Sequence, residues 1–177
     1  MSKKRLEDYV TSIPDFPREG VLFRDITTVI EDPEGLRMAV EGLVDMVDPN
    51  DVDIVVGSES RGFVFGAPVA YRLGKGFVMA RKKGRLPRET VSETYDLEYG
   101  IATIEIHKDS IRPGMRAFIV DDLVATGGTT KAVANLVERL GGKVVAIGFV
   151  MELAGFDAKG STLKGLPYKS LIVYPGK

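Results

Sequence analysis

Four apolar residues, Ala117-Phe118-Ile119-Val120, run directly into two adjacent carboxylates, Asp121 and Asp122, and then into Leu123-Val124-Ala125-Thr126-Gly127-Gly128-Thr129-Thr130. The apolar run has the length and composition of a strand buried on both faces. The glycines and threonines mark a tight turn into a helix with Val133, Leu136, Val137 and Leu140 on one face, stopped by Gly141-Gly142. Val144 to Met151 then reads as a second buried strand. Strand, loop, helix and strand within about 35 residues form a βαβ unit, which commits the chain to a parallel sheet with right-handed crossovers.

The same rhythm occurs earlier. Asp32-Pro33 supplies a cap and a first-turn proline, and Leu36, Val40, Leu43, Val44 and Val47 fall on one helical face before Asp48-Pro49-Asn50 stops it. Ile54-Val55-Val56 predicts a buried strand. The polar loop Gly57-Ser58-Glu59-Ser60-Arg61-Gly62, a helix to Arg72 and a strand near Phe77 to Ala80 follow it. Between Thr90 and His107 the pattern alternates, Ala102, Ile104 and Ile106 against Thr103, Glu105 and His107. That predicts antiparallel strands projecting from the main sheet. Residues 1–40 and the tail beyond Gly155 are expected to be peripheral. The predicted fold is α/β, an open parallel sheet in one domain over 1–177, a length usual for a single domain.

Composition narrows the chemistry. Without cysteine there are no disulfides, thiolate metal sites or cysteine nucleophiles, and His107 alone cannot build a multi-imidazole metal site. A net charge of −1 argues against a nucleic-acid partner. The charged N-terminus, Met-Ser-Lys-Lys-Arg, does not read as a signal peptide. The longest uncharged run, Gly62 to Tyr71, is about half of what spans a bilayer. A soluble, cytoplasmic protein with no membrane partner is expected.

Ligands of such sheets bind beyond the carboxyl ends of the strands, and three polar loops are placed there. In the first, Ala125, Thr126, Gly127, Gly128 and Thr129 offer backbone N–H groups and hydroxyls at a helix N-terminus, which suits a phosphate. Asp121 and Asp122 beside it suit sugar hydroxyls. No lysine follows the glycines as a Walker loop requires, and no G-x-G-x-x-G occurs. Gly155 to Thr162 has Walker-like glycines but serine in place of lysine, and it is read as a loop with no strand immediately ahead. In the second loop, Ser60, Arg61 and Gly62 suit another anionic group; a solvent-facing Arg61 next to Glu59 fits the residues equally. The third, Arg81 to Arg88, packs five cations into eight residues and is either an anion site or a solvated face.

Ala117 to Thr130 resembles the fingerprint that binds 5-phosphoribosyl 1-pyrophosphate (PRPP) in type I phosphoribosyltransferases. Among these the chain is similar to the adenine phosphoribosyltransferases over nearly its whole length. Five blocks in order carry the likeness: Pro14-Asp15-Phe16-Pro17 with Gly20 to Thr27, Glu59 to Phe63, Arg81 to Pro87, Tyr95 to Gly100, and the fingerprint itself. The resemblance implies the type I fold with an N-terminal base-recognition segment (1–30) and a flexible antiparallel hood (83–107). It implies transfer of phosphoribosyl from magnesium-bound PRPP to adenine, giving AMP and pyrophosphate. By position, Asp121 and Asp122 would bind ribose and Ala125 to Thr129 the 5′-phosphate. Ser60, Arg61 and Gly62 would bind pyrophosphate, joined by Arg81 and Lys82 from the neighbouring subunit of a homodimer. Leu22, Phe23, Arg24 and Leu123 would hold adenine, and Glu98 would handle its proton, with Arg61 as its catalytic companion. Mg²⁺ would be held mainly by PRPP, and no protein ligand is assigned to it.

Two positions depart from the family pattern: Thr28 and Lys83 stand where proline is frequent. His107, on the polar face of an exposed strand, is given no role. Another acceptor (xanthine, hypoxanthine, guanine or orotate) on the same fold, or a PRPP-sensing regulator, would share the fingerprint. The Leu22 to Thr27 and Tyr95 to Gly100 blocks favour adenine, and the chain has no spare length for a DNA-binding domain.

Overall fold

A computed structural model describes residues 4–96 and 100–176. A short hairpin comes first, β1 (Thr11–Pro14) and β2 (Leu22–Asp25), paired antiparallel as a separate two-stranded sheet. Helices α1 (Thr27–Glu31) and α2 (Pro33–Val44) follow. Asp32 caps α2 by accepting the N–H groups of Glu34 and Gly35 at 2.9 and 3.0 Å, as its sequence predicts. The helix ends at Val44, so Val47 lies outside the face assigned to it.

The remaining strands form one seven-stranded sheet. In chain order they are β3 (Ile54–Ser58), β4 (Gly76–Lys82), β5 (Thr90–Asp96), β6 (Ile101–His107), β7 (Arg116–Val124), β8 (Lys143–Leu153) and β9 (Tyr168–Tyr174). Their spatial order is β5-β6-β4-β3-β7-β8-β9. β4, β3, β7, β8 and β9 are parallel to their neighbours, and β5 and β6 add an antiparallel edge. Between β3 and β4 the chain crosses through α3 (Arg61–Leu73), and between β7 and β8 through α4 (Gly128–Arg139).

Alternation along the central strands divides the core into two layers. Ile54, Val56, Ala117 and Ile119 face the layer that holds Val133, Leu136 and Val137 of α4. Val55, Phe118 and Val120 face the opposite layer, with Phe65 and Val69 of α3 and Val40 and Leu43 of α2. Both faces of β3 and β7 are covered, which explains why their sequences are continuous apolar runs.

Three expectations change here. The tail is structural rather than peripheral: β9 extends the sheet, and Ala158 and Leu163 are buried in the α4 layer. Leu6, Ile26, Val29 and Ala39 likewise make residues up to 40 part of the other core layer. The antiparallel strands do not project from the sheet but join it, since Arg81 and Lys82 of β4 pair with Glu105 and Ile104 of β6. Glu105 is consequently buried, although alternation put it on the polar face. Finally, β8 does stand immediately ahead of Gly155 to Thr162, but that segment continues as turns and no helix follows to present a phosphate site. Among the described residues no helix is long and apolar enough to cross a membrane.

Candidate active site

From β3 the chain moves to β4 on one side, and from β7 to β8 on the other, so the strand order reverses between β3 and β7. A crevice opens at the carboxyl end of such a switch point. β3 pairs with β7 as far as Val120 and then turns into α3. β7 continues to pair with β8 through Val124. Asp121 and Asp122 are therefore strand residues, not the start of a loop as the sequence led us to expect. The departure of β3 leaves both lining a cavity of about 510 Å³, a size usual for small-molecule sites.

One wall is the Ala125 to Thr130 turn. Gly127 starts α4 in the left-handed region, at φ 82°, and no side chain caps the helix. The first N–H groups of α4 thus have neither a helical acceptor nor a cap, which leaves a set of donors at the positive end of a helix dipole. A Cβ on Gly127 would also fall 2.7 Å from Leu163 Cγ, so the tail packs directly beneath this turn. Thr129 Oγ1 donates to the Tyr95 hydroxyl at 3.0 Å, and Asn135 and Arg139 hold Glu93, which docks β5 against α4.

The two carboxylates differ. Asp121 is buried, hydrogen-bonded with Ser58 Oγ, and accepts the Asp122 N–H at 2.9 Å. Burial first, then repulsion from Asp122, push its carboxyl well above the ordinary range against the Ser58 bond. Asp122 is paired with Arg61 Nε, whose side chain stays about half exposed toward the cavity. Gly62 does not line the cavity. A Cβ there would meet Asp121 Oδ1 at 2.8 Å and Val120 O at 3.2 Å, so this glycine lets α3 close on the strand end. This packing accounts for a glycine at position 62.

On the opposite wall, Glu59 is the centre of the basic loop. It accepts Arg85 at 2.6 Å, Arg81 at 3.3 Å and the Lys82 N–H at 3.0 Å. Burial opposes its charge, but the bonds from Arg81 and Lys82 and the charges of Arg81 and Arg85 outweigh that, holding the carboxyl below its usual range. Lys82 and Arg85 line the cavity of their own chain, while Arg81 sits behind them on Glu59. Glu59 and Arg85 were missed as site residues. In the sequence Glu59 is simply the neighbour of Arg61, and its real partners lie over 20 positions on.

Ser60, Arg61, Lys82, Asp121 to Leu123 and Ala125 to Thr129 are thus gathered round one cavity. Leu22, Phe23 and Arg24 are not among its lining residues. They lie on β2, where the Arg24 guanidinium stacks 4.1 Å over the ring of Tyr174, at the carboxyl end of β9. Thr28, one of the two departures, donates to Tyr9 O at 2.6 Å and accepts the Thr11 N–H at 3.0 Å. The hydroxyl ties β1 to α1, which a proline could not do. Glu98 falls outside the described residues. His107 lies away from the cavity, 3.0 Å from Arg88.

A doubly wound sheet with a phosphate-ready turn, an acid pair and a cation loop at its switch point defines the class of proteins that take phosphorylated ligands in a switch crevice, and comparison gives the chain a family. The phosphoribosyl transferase domain family matches residues 31–165. The adenine phosphoribosyltransferase of Agathobacter rectalis is 53% identical, covering 98% of this chain and 99% of that protein. The crystal structure of adenine phosphoribosyltransferase from Thermoanaerobacter pseudethanolicus is 47% identical, with a TM-score of 0.90 over 96% of this chain and 100% of that one. The Saccharomyces cerevisiae enzyme, solved with an imino-altritol bisphosphate and adenine, is 37% identical, with a TM-score of 0.83 over 94% and 96%. The chain belongs to the phosphoribosyltransferases, and within them to the adenine phosphoribosyltransferase family.

Proposed function

We infer that this chain transfers the phosphoribosyl group of PRPP to adenine, giving AMP and pyrophosphate. The observation that carries the reading is the uncapped N-terminus of α4 next to the Asp121–Asp122 pair in the switch crevice. The co-crystallised adenine of the yeast relative supports the choice of base.

The 5′-phosphate takes the N–H groups and hydroxyls of Ala125 to Thr129, and the ribose lies over Asp122, with Asp121 buried behind it. Pyrophosphate faces Ser60, Arg61, Lys82 and Arg85. Adenine rests against Leu123 and the 1–30 segment, which brings Leu22, Phe23 and Arg24 from the side of β9. Glu98, on the 83–107 hood, takes the purine proton. Departure of pyrophosphate leaves positive charge on the anomeric carbon, so the protein's work is alignment and charge stabilisation rather than covalent catalysis. Arg61 serves both ends, bound to Asp122 and half free for the leaving group.

Magnesium fits as an ion brought by PRPP. The cavity carboxylates are already engaged by Ser58, Arg61 and the Arg81–Arg85 pair. Mg²⁺ commonly needs only one or two carboxylates plus substrate phosphates and water. When bound it neutralises the pyrophosphate oxygens.

The experiment is a base panel: purified protein, Mg²⁺ and PRPP with adenine, hypoxanthine, guanine, xanthine or orotate. Adenine is expected to be turned over far faster than the rest. Equal turnover of another base overturns the assignment, and no turnover of any base favours a PRPP sensor. We also propose a homodimer, on the exposed apolar side chains Val64 and Tyr71, one face of α3 by their spacing, and Met79 of β4. Light scattering should give twice the chain mass, and Tyr71→Glu should shift it toward the monomer.

A further inference from the structure

We propose that Glu59 is a positioning residue for the leaving group: it holds Arg85 on the cavity wall, with Arg81 packed behind as a second cation, and touches no substrate itself. The inference rests on the reading of the cavity as a PRPP site and extends it to a residue that reading does not use.

Two guanidinium groups repel each other, and on a loop open to solvent they would separate into water. Here both converge on one carboxylate. Glu59 Oε1 receives Arg85 at 2.6 Å and Arg81 at 3.3 Å, and Oε2 receives the Nε of Arg81 and the Lys82 N–H. The Glu59 side chain is 8% exposed, whereas Arg81 and Arg85 are 30% and 54% exposed. The anion is thus the buried partner and the cations are its accessible face. Arg81 also donates to the Arg85 carbonyl at 3.1 Å, which closes the loop on itself.

A carboxylate at the door of a polyanion is unfavourable taken alone. It is offset because it fixes two cations, so the trio keeps a net positive charge, with Arg85 as the member on the cavity wall. Fixed charges stabilise a developing anion better than mobile ones, since no reorganisation is needed when the bond breaks.

Glu59 takes one backbone donor of the loop, the Lys82 N–H, and Gln at 59 keeps an oxygen that can accept it, while the next two residues are anchored elsewhere. Lys83 N–H donates to Thr103 O at 3.1 Å, and Gly84 N–H to the buried Glu105 at 3.0 Å. Neutralising Glu59 should therefore free the guanidinium groups and leave the loop in place.

The test uses Glu59→Gln and Glu59→Asp in the full-length protein. Calorimetry gives Kd for magnesium pyrophosphate and for AMP, and steady-state kinetics give KM for PRPP and adenine. For Glu59→Gln, pyrophosphate Kd and PRPP KM should each rise about tenfold, the scale of one lost charge-assisted contact. AMP reaches the phosphate turn and the base pocket but not the cation loop, so its Kd and the adenine KM should stay within about twofold. Glu59→Asp keeps the charge and should recover part of the loss. Tighter binding of pyrophosphate by Glu59→Gln would mean that the carboxylate merely repels substrate, and would overturn the proposal. Equal weakening of AMP would also overturn it, showing a general loss of structure. Wild-type protein that binds neither PRPP nor pyrophosphate would overturn the functional reading, and this proposal with it.

Discussion

Replacing Asp122 by Asn is expected to lower kcat/KM for PRPP by about a hundredfold or more, the scale reported for loss of one preorganised electrostatic contact at a reacting centre. The Asp122 side chain is only 7% exposed, and it faces the cavity from inside β7. Its charge would lie beside the ribose as positive charge grows on the anomeric carbon. The amide is nearly the same shape but carries no charge and cannot hold Arg61 as an ion pair, so both roles fail together. The fold should survive. Removing the Asp122 charge also removes the repulsion that helps raise the carboxyl of Asp121. Its apparent pKa should therefore move down, which an NMR titration of the side-chain carboxyl can read. His107→Ala, away from the cavity and paired with Arg88, is the comparison and should stay near wild type. If Asp122→Asn kept near-wild-type kinetics while His107→Ala did not, the site map would be wrong.

Gly127→Ala is the second large effect, and it acts on folding and binding at once. The residue sits at φ 82°, and an added Cβ would meet Leu163 Cγ at 2.7 Å and Cδ1 at 3.0 Å. Left-handed backbone costs an L-residue about 1–2 kcal/mol. Overpacking a buried leucine adds about 1–3 kcal/mol, because Leu163 has no solvent to retreat into. For a chain of this length the sum corresponds to a Tm lowered by roughly 5–15 °C. The phosphate turn would distort in the protein that does fold, so AMP and PRPP should both bind more weakly. Calorimetric scanning and AMP titration check both parts. Adding Leu163→Ala should relieve the overlap but not the backbone strain, so the double variant should recover some stability and little binding. A Tm within about 2 °C of wild type would show that the turn is not built as described.

The parts of the site legible in the sequence were those made by one short segment. The phosphate turn, the strands around it and the approach of the Ser60–Arg61 loop all follow from local pattern, since a buried parallel strand must be apolar and a helix start needs small residues to receive an anion. What pattern could not show was set by partners far along the chain. Asp121 and Asp122 read as loop because polar residues usually end a strand, yet β8 continues their ladder after β3 has left. Gly62 reads as a neighbour of Arg61, and nothing in the sequence shows that the side chain of Asp121 requires a glycine there. Glu59 looked like a competitor for Arg61 and instead belongs to Arg81 and Arg85. The tail carries no strong periodicity before Tyr168, so neither β9 nor the support Leu163 gives the phosphate turn could be read from it. The base segment was recognisable by resemblance alone: β1 is exposed and β2 mostly half-buried, and neither has an alternating burial pattern to betray it.

The attachment of the antiparallel edge has a consequence for how this protein could evolve. β6 shares two register pairs with β4 and seven with β5, so the hairpin is a unit of its own, joined to the sheet by a narrow neck. Displacing it would break that neck, the polar row on α4 and the burial of Ile104 and Ile106 in the α4 layer, and would leave the ladders of the five parallel strands untouched. Among the described residues the opposite layer, packed by α2 and α3, holds no side chain of β5 or β6. Substitutions that tighten the packing of α2 and α3 on the parallel strands can therefore raise heat resistance without touching the hairpin. A conflict between durability and any movement of the hairpin is then confined to the α4 side of the sheet.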